Sequence, residues 1–192
     1  MIRRTSILFV LLLAAACTPP VVVTAPGQPV QVGSYSVTPQ MEWNRPTTTF
    51  NEVWTVDGFA LQAMRFFEVA DGQSLFVKRN AFGKPLPPDE KTPVFRKTML
   101  PNEIQEFLVA TLAADGWANV KPAGLAPAKF GGLPGFRFSF AMKSSDGLEY
   151  DGMVLGAVDG NRLNLITYSG TRLHYFPRYK GEAEKIFLSV RR

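Results

Sequence analysis

From Leu133 to Lys143 the chain alternates strictly between large apolar and polar or small residues. Phe136, Phe138, Phe140 and Met142 fall on one side of an extended strand, and Arg137, Ser139, Ala141 and Lys143 on the other. Side chains on a strand alternate between faces, so one face must be buried against another layer while the other can meet water. The pattern then continues. Ser145-Asp146-Gly147 marks a turn, Leu148 to Val158 a second long strand, Asp159-Gly160 another turn, and Arg162 to Ser169 a third strand. Three strands joined by short glycine turns form an antiparallel meander.

The covering layers are also visible. Pro101 opens a helix in which Ile104, Phe107, Leu108, Thr111 and Leu112 recur at helical spacing. Proline suits the first turn, Glu103 suits the positive end of the helix dipole, and Asp115-Gly116 closes the helix. A second amphipathic helix ends the chain, with Phe176, Tyr179, Ala183, Ile186, Phe187 and Val190 on its apolar face. Upstream, Ser34 to Thr38 and Ser74 to Arg79 read as strands. Asn51 to Val56 and Phe59 to Val69 read as a hairpin about Asp57-Gly58. The fold class is therefore α+β: an antiparallel β-sheet with two amphipathic helices packed on it, in one globular domain over 33–192.

The order of these elements, the run Phe130-Gly131-Gly132-Leu133-Pro134-Gly135-Phe136-Arg137 entering the first meander strand, and a last helix ending Ile186-Phe187-Leu188-Ser189-Val190 together resemble the Mog1/PsbP-like α/β/α sandwich family. That family holds small binding and accessory proteins, among them photosystem subunits and a regulator of a nuclear transport GTPase. The resemblance implies a fold and transfers no functional residue, because no site motif of the family is matched here.

The first residues address the protein. Arg3 and Arg4 precede an apolar run from Ile7 to Ala16, the parts of a secretory signal over residues 1–16. Ten apolar residues make about 15 Å of helix, too short for a bilayer core of about 30 Å. Ala14-Ala15-Ala16-Cys17 resembles the bacterial lipobox, with Ala14 standing where such boxes usually carry leucine. That resemblance implies lipidation of Cys17, the one cysteine of the chain. The alternative is an ordinary signal cut near Ala16 that leaves a free thiol. In an oxidising compartment a lone thiol is a liability, and a thioether-linked lipid caps it. Several acyl chains at about 0.8 kcal/mol per buried CH₂ then hold the protein on the membrane. The charge-free, proline-rich stretch to residue 32 reads as an extended tether, so residues 17–32 are taken as lipidated cysteine and linker. Thr18, rather than an aspartate, after the cysteine resembles sorting to the outer membrane, facing the periplasm.

Catalytic chemistry finds few candidates. The chain has one histidine, His174, at the start of the last helix, and no second cysteine. With Cys17 taken as the lipid anchor no Cys-His pair is left, and no G-x-S-x-G motif is present. Asp146, Glu149 and Asp151 lack calcium-loop spacing and read as cross-strand partners near Lys143. Glu103 and Glu106 read as dipole and solubility charges. The Phe130–Gly135 glycines lead into a strand rather than a helix N-terminus, so they make no phosphate cradle. No cofactor and no metal site is expected. The chain after the signal carries about +3, too little to argue for nucleic acid. Residues 80–100, with four prolines and four basic residues, are the longest gap between core elements. Lys84, Lys91, Arg96 and Lys97 make this loop the candidate contact surface, for an acidic envelope partner or anionic lipid headgroups. The sequence thus points to a monomeric, envelope-anchored binding module without enzymatic activity. The alternative is a hydrolase that works with carboxylates alone on a cell-envelope component, which needs two of them about 10 Å apart or less in a cleft.

Overall fold

A computed structural model describes residues 21–46 and 52–192. The expected signal segment and Cys17 lie outside the described residues. Six antiparallel strands form the central sheet: β5 (Glu52–Trp54), β6 (Gln62–Ala70), β7 (Ala118–Phe130), β8 (Leu133–Lys143), β9 (Glu149–Asp159) and β10 (Arg162–Thr171). They lie in the order β5-β6-β10-β9-β8-β7. The meander β8-β9-β10 follows the sequence pattern, and all four residues of its apolar face are at most 5% exposed. Two helices, α1 (Pro101–Ala114) and α2 (Tyr175–Leu188), cover opposite faces. The expectation of an α+β sandwich with two helices on an antiparallel sheet holds.

Each face has its own core. On one, α1 lays Ile104, Phe107, Leu108 and Leu112 onto Phe138, Val154 and Leu165. Glu103 accepts a hydrogen bond from the Leu100 amide (2.7 Å), which satisfies one free donor at the helix start. On the other, α2 packs Tyr179, Ala183 and Ile186 against Trp43, Trp54, Ile166 and Tyr168. Close approach between β8 and β9 depends on glycine. Phe136 pairs with Gly156 and Phe140 with Gly152, and a Cβ at either glycine would strike the facing ring.

Five details depart from the sequence reading. The linker assigned up to residue 32 is folded from Val21 onward: β1 (Val21–Val23) pairs with β4 (Asn44–Pro46), and β2 (Val30–Val32) with β3 (Tyr35–Val37). Proline and lack of charge suggested a linker, but Thr24 is buried. Its hydroxyl accepts from the Trp43 amide (2.9 Å), and its own amide donates to the Trp43 carbonyl. The domain therefore begins near residue 21. The Asp57-Gly58 hairpin forms, but its connection runs over 55–61 because the Thr55 hydroxyl bonds Gly58 and Gln62, delaying β6 to Gln62. Ser74 to Arg79 forms no strand of the sheet. Both neighbours of β6 are already taken by β5 and β10, so the segment buries Leu75 against the α1 face instead. The fourth departure is β7, which the sequence pattern did not reveal. Pro122 and Pro127 argue against a central strand but are tolerated at an edge, where β7 sits with two register shifts. Lastly, Glu149 and Asp151 pair with Arg172 rather than Lys143, at 2.6 and 3.0 Å.

A chain starting at Val21 should melt like the longest form. One starting at 33 loses buried Val32 and the Thr24 cap of Trp43, about 3 kcal/mol in all. For a domain of this size that lowers Tm by roughly 6–12 °C, readable by calorimetry.

Candidate functional site

The loop between β6 and α1 is two structures in series. Its base is bound to the sheet: Phe95 is fully buried, its amide donates to the Gln73 carbonyl, and the Gly72 amide donates to the Phe95 carbonyl (both 2.8 Å). The Lys97 amide donates to Asp71 Oδ1 at 3.1 Å. Beyond the base, residues 78–86 double back as a small hairpin. Here the Leu86 amide bonds the Lys78 carbonyl and the Asn80 amide the Lys84 carbonyl. The Asn80 side chain accepts from the Phe82 and Lys84 amides, both at 3.0 Å, and Arg79 Nη1 donates to the Gly83 carbonyl. An asparagine accepting from amides ahead of it is a standard way to hold a tight turn.

At the tip of this hairpin stands Phe82, 95% exposed, with Leu86 and Val77 also exposed beside it. The two phenylalanines of the loop thus divide: Phe95 anchors, and Phe82 is presented. Lys84, Lys91, Arg96 and Lys97 are all exposed, and among the described residues none of their side chains makes an ion pair. They do not converge on one point. Lys84 rides on the hairpin, Lys91 on the Asp89 turn, and Arg96 and Lys97 on the anchored base. Asp89 is occupied by Thr92 and Lys78, and the Thr92 hydroxyl, then Lys78, hold its carboxyl below the usual carboxylate range. The loop therefore offers cations and an apolar tip in excess of its acids.

A second concavity lies on the opposite face. Helix α2 covers the middle of the sheet and leaves β7 and β8 bare, which opens a groove of about 790 Å³. Ala126, Ala128, Leu155 and Phe187 give it an apolar lining. Lys129, Arg137, Lys180 and Arg191 stand around it, against one acid, Glu184, that is already paired with Lys180 at 3.5 Å. The sequence reading did not find this groove, because it is bounded by the unforeseen edge strand β7.

The remaining candidates have structural roles. His174 is exposed at the start of α2, stacks edge-on against Tyr175, and has only a 3.4 Å contact to Arg178. Asp146 holds its own turn through Ser144. Among the described residues no group of three His, Cys, Asp or Glu side chains could hold a metal. One cleft, about 340 Å³ beside β6, is lined by two carboxylates, Glu52 and Glu68. Both are occupied: Arg45 clasps Glu52 through both carboxylate oxygens, and Ser34 donates to Glu68 through its amide and hydroxyl. A glycosidase pair needs both carboxyl groups open to the substrate and its water, and these two are already taken by protein donors.

No protein family matches the chain, and no curated protein does. Among solved structures it is similar to cyanobacterial PsbP (CyanoP) from Synechocystis sp. PCC 6803. The TM-score is 0.51 at 8% identity, over 85% of this chain and 90% of that one. The fold is PsbP-like. A protein from Bacteroides thetaiotaomicron VPI-5482 also aligns, at TM-score 0.44 and 13% identity, over 86% of this chain and 46% of that one. The PsbP-like frame is shared in architecture alone, and the basic hairpin and the groove are argued from this chain's own residues.

The division of the loop is measurable. Phe95→Ala should cost about 3–5 kcal/mol in urea unfolding, the range for a fully buried phenylalanine. Phe82→Ala should stay within about 0.5 kcal/mol of the parent, as exposed substitutions do.

Proposed function

We propose that the protein is a lipid-anchored, non-catalytic accessory module of a bacterial cell envelope, whose 78–97 loop docks onto an anionic surface. The observation that carries this is Phe82, presented almost fully to solvent on a hydrogen-bonded hairpin, with unpaired cations on the hairpin and behind it. An apolar tip flanked by Lys and Arg suits the boundary of an anionic bilayer or an acidic partner. Each basic side chain near such a surface contributes about 1 kcal/mol, and the aromatic ring adds burial. Exposed hydrophobic residues grouped with charge mark contact sites more often than isolated ones do.

Anchoring rests on the sequence reading of Cys17, with residues 18–20 then joining the lipid to the first strand. Among the described residues no helix is long and apolar enough to cross a membrane. A PsbP-like fold supports an accessory role through the kind of proteins that share it, and orientation toward the periplasm from the outer membrane follows the Thr18 reading. The carboxylate-only hydrolase is the weaker reading, since Glu52 is engaged by Arg45 and Glu68 by Ser34.

Two measurements check this. Metabolic labelling with a fatty-acid analogue should mark the parent and not Cys17→Ser; equal labelling would remove the anchor. Lipid-free protein should float with phosphatidylglycerol vesicles at low salt and not with phosphatidylcholine. Phe82→Ala and the triple reversal Lys84→Glu, Lys91→Glu, Lys97→Glu should each weaken flotation at least threefold, with Tm within a few degrees of the parent. Unchanged flotation of both variants would show that the loop is not the contact.

A further inference from the structure

The side of β10 that faces α1 reads Leu163, Leu165, Thr167, Ser169: two core residues, then two hydroxyls. The register sets Arg65 of β6 directly opposite Thr167, and Ala63 opposite Ser169. Helix α1 ends at Ala114, beside this patch. A hollow of about 110 Å³ is left there, walled by Leu112, Trp117, Phe76 and Phe140, with Asp115 also lining it. Thr167 and Ser169 are each 5% exposed. Among the described residues neither hydroxyl has a hydrogen-bond partner, and neither does the Arg65 guanidinium. No direct ion pair joins Arg65 to Asp115.

Such an arrangement serves the fold poorly. A half-buried guanidinium has five N–H donors to satisfy, and an apolar side chain would pack this site with less cost. Burial lowers the Arg65 pKa, with Asp115 opposing, and partial desolvation raises that of Asp115, with Trp117 and Arg65 opposing. Each charge thus feels the other across the hollow without a direct ion pair between them. A bare anion entering the hollow would be drawn to Arg65 and opposed by Asp115, and a bare cation the reverse. A small molecule with both charges satisfies both.

We propose that this hollow is a binding site for a small zwitterion of the size of glycine or alanine. Its carboxylate sits on Arg65 between the Thr167 and Ser169 hydroxyls. Its ammonium group points to Asp115. The room is that of three or four waters at about 30 Å³ each, which excludes large side chains. Gly152 is part of the construction, because only a residue without Cβ lets the Phe140 ring lie where it walls the hollow.

Titration calorimetry on the purified full chain tests this with four probes: glycine, L-alanine, acetate and methylammonium. Glycine and alanine should bind at least tenfold more tightly than either single-charge probe. Arg65→Met and Asp115→Asn should each weaken glycine at least tenfold. Asp115 is exposed, so its variant keeps the test open if Arg65→Met fails to fold. Acetate binding as tightly as glycine would overturn the proposal in favour of an anion site. Lack of binding by any probe, or full affinity in Asp115→Asn, would show a hollow filled only by water.

Discussion

Two phenylalanine rings laid across two glycines organise the sheet. Phe136 faces Gly156 and Phe140 faces Gly152 on the neighbouring strand. Any side chain at those glycines would lift the rings off the strand and push α1 away from it. With the rings in place, the α1 face is level enough for Ile104, Phe107 and Leu108 to seat, and α1 stops where the polar end of β10 begins. The opposite face is released from that work. There the small residues of β7 and β8 stay bare beside α2, which leaves the groove.

The distribution of charge follows the same division. Acids are mostly committed to holding structure: Glu103 at the start of α1, Glu52 to Arg45, Glu149 and Asp151 to Arg172, Asp89 to its turn. Many of the bases are not committed. The loop and the groove rim both present cations with few acids nearby, so two separate surfaces are locally positive although the net charge of the chain is modest. Net charge alone concealed this, because the acids that cancel it are spent inside turns and clasps.

The meander and α1 were legible because periodicity and turn glycines agree there, and the observed bounds of β8 and α1 match the pattern to the residue. β7 was not legible. Its partner supplies the hydrogen bonds, and an edge position tolerates the two prolines that make the sequence look like loop. Val21–Val32 failed for a related reason: three-residue strands carry little pattern, and Thr24 is fixed by Trp43, 19 residues away. The loop at 80–100 was recognised as a candidate surface, but sequence could not tell Phe82 from Phe95, since only the packing of the base decides which ring is buried. The Arg65 hollow needed register, because no spacing along the chain brings Arg65 beside Thr167.

The central claim is that the hairpin around Phe82 is where this protein meets its surroundings. A photoreactive amino acid placed at position 82, and as a control at Lys185 on the exposed side of α2, tests it in the native cell. Position 82 should give one dominant adduct, to an acidic partner or to anionic lipid, and position 185 should give little. Equal capture at both positions, or none at 82, would contradict it.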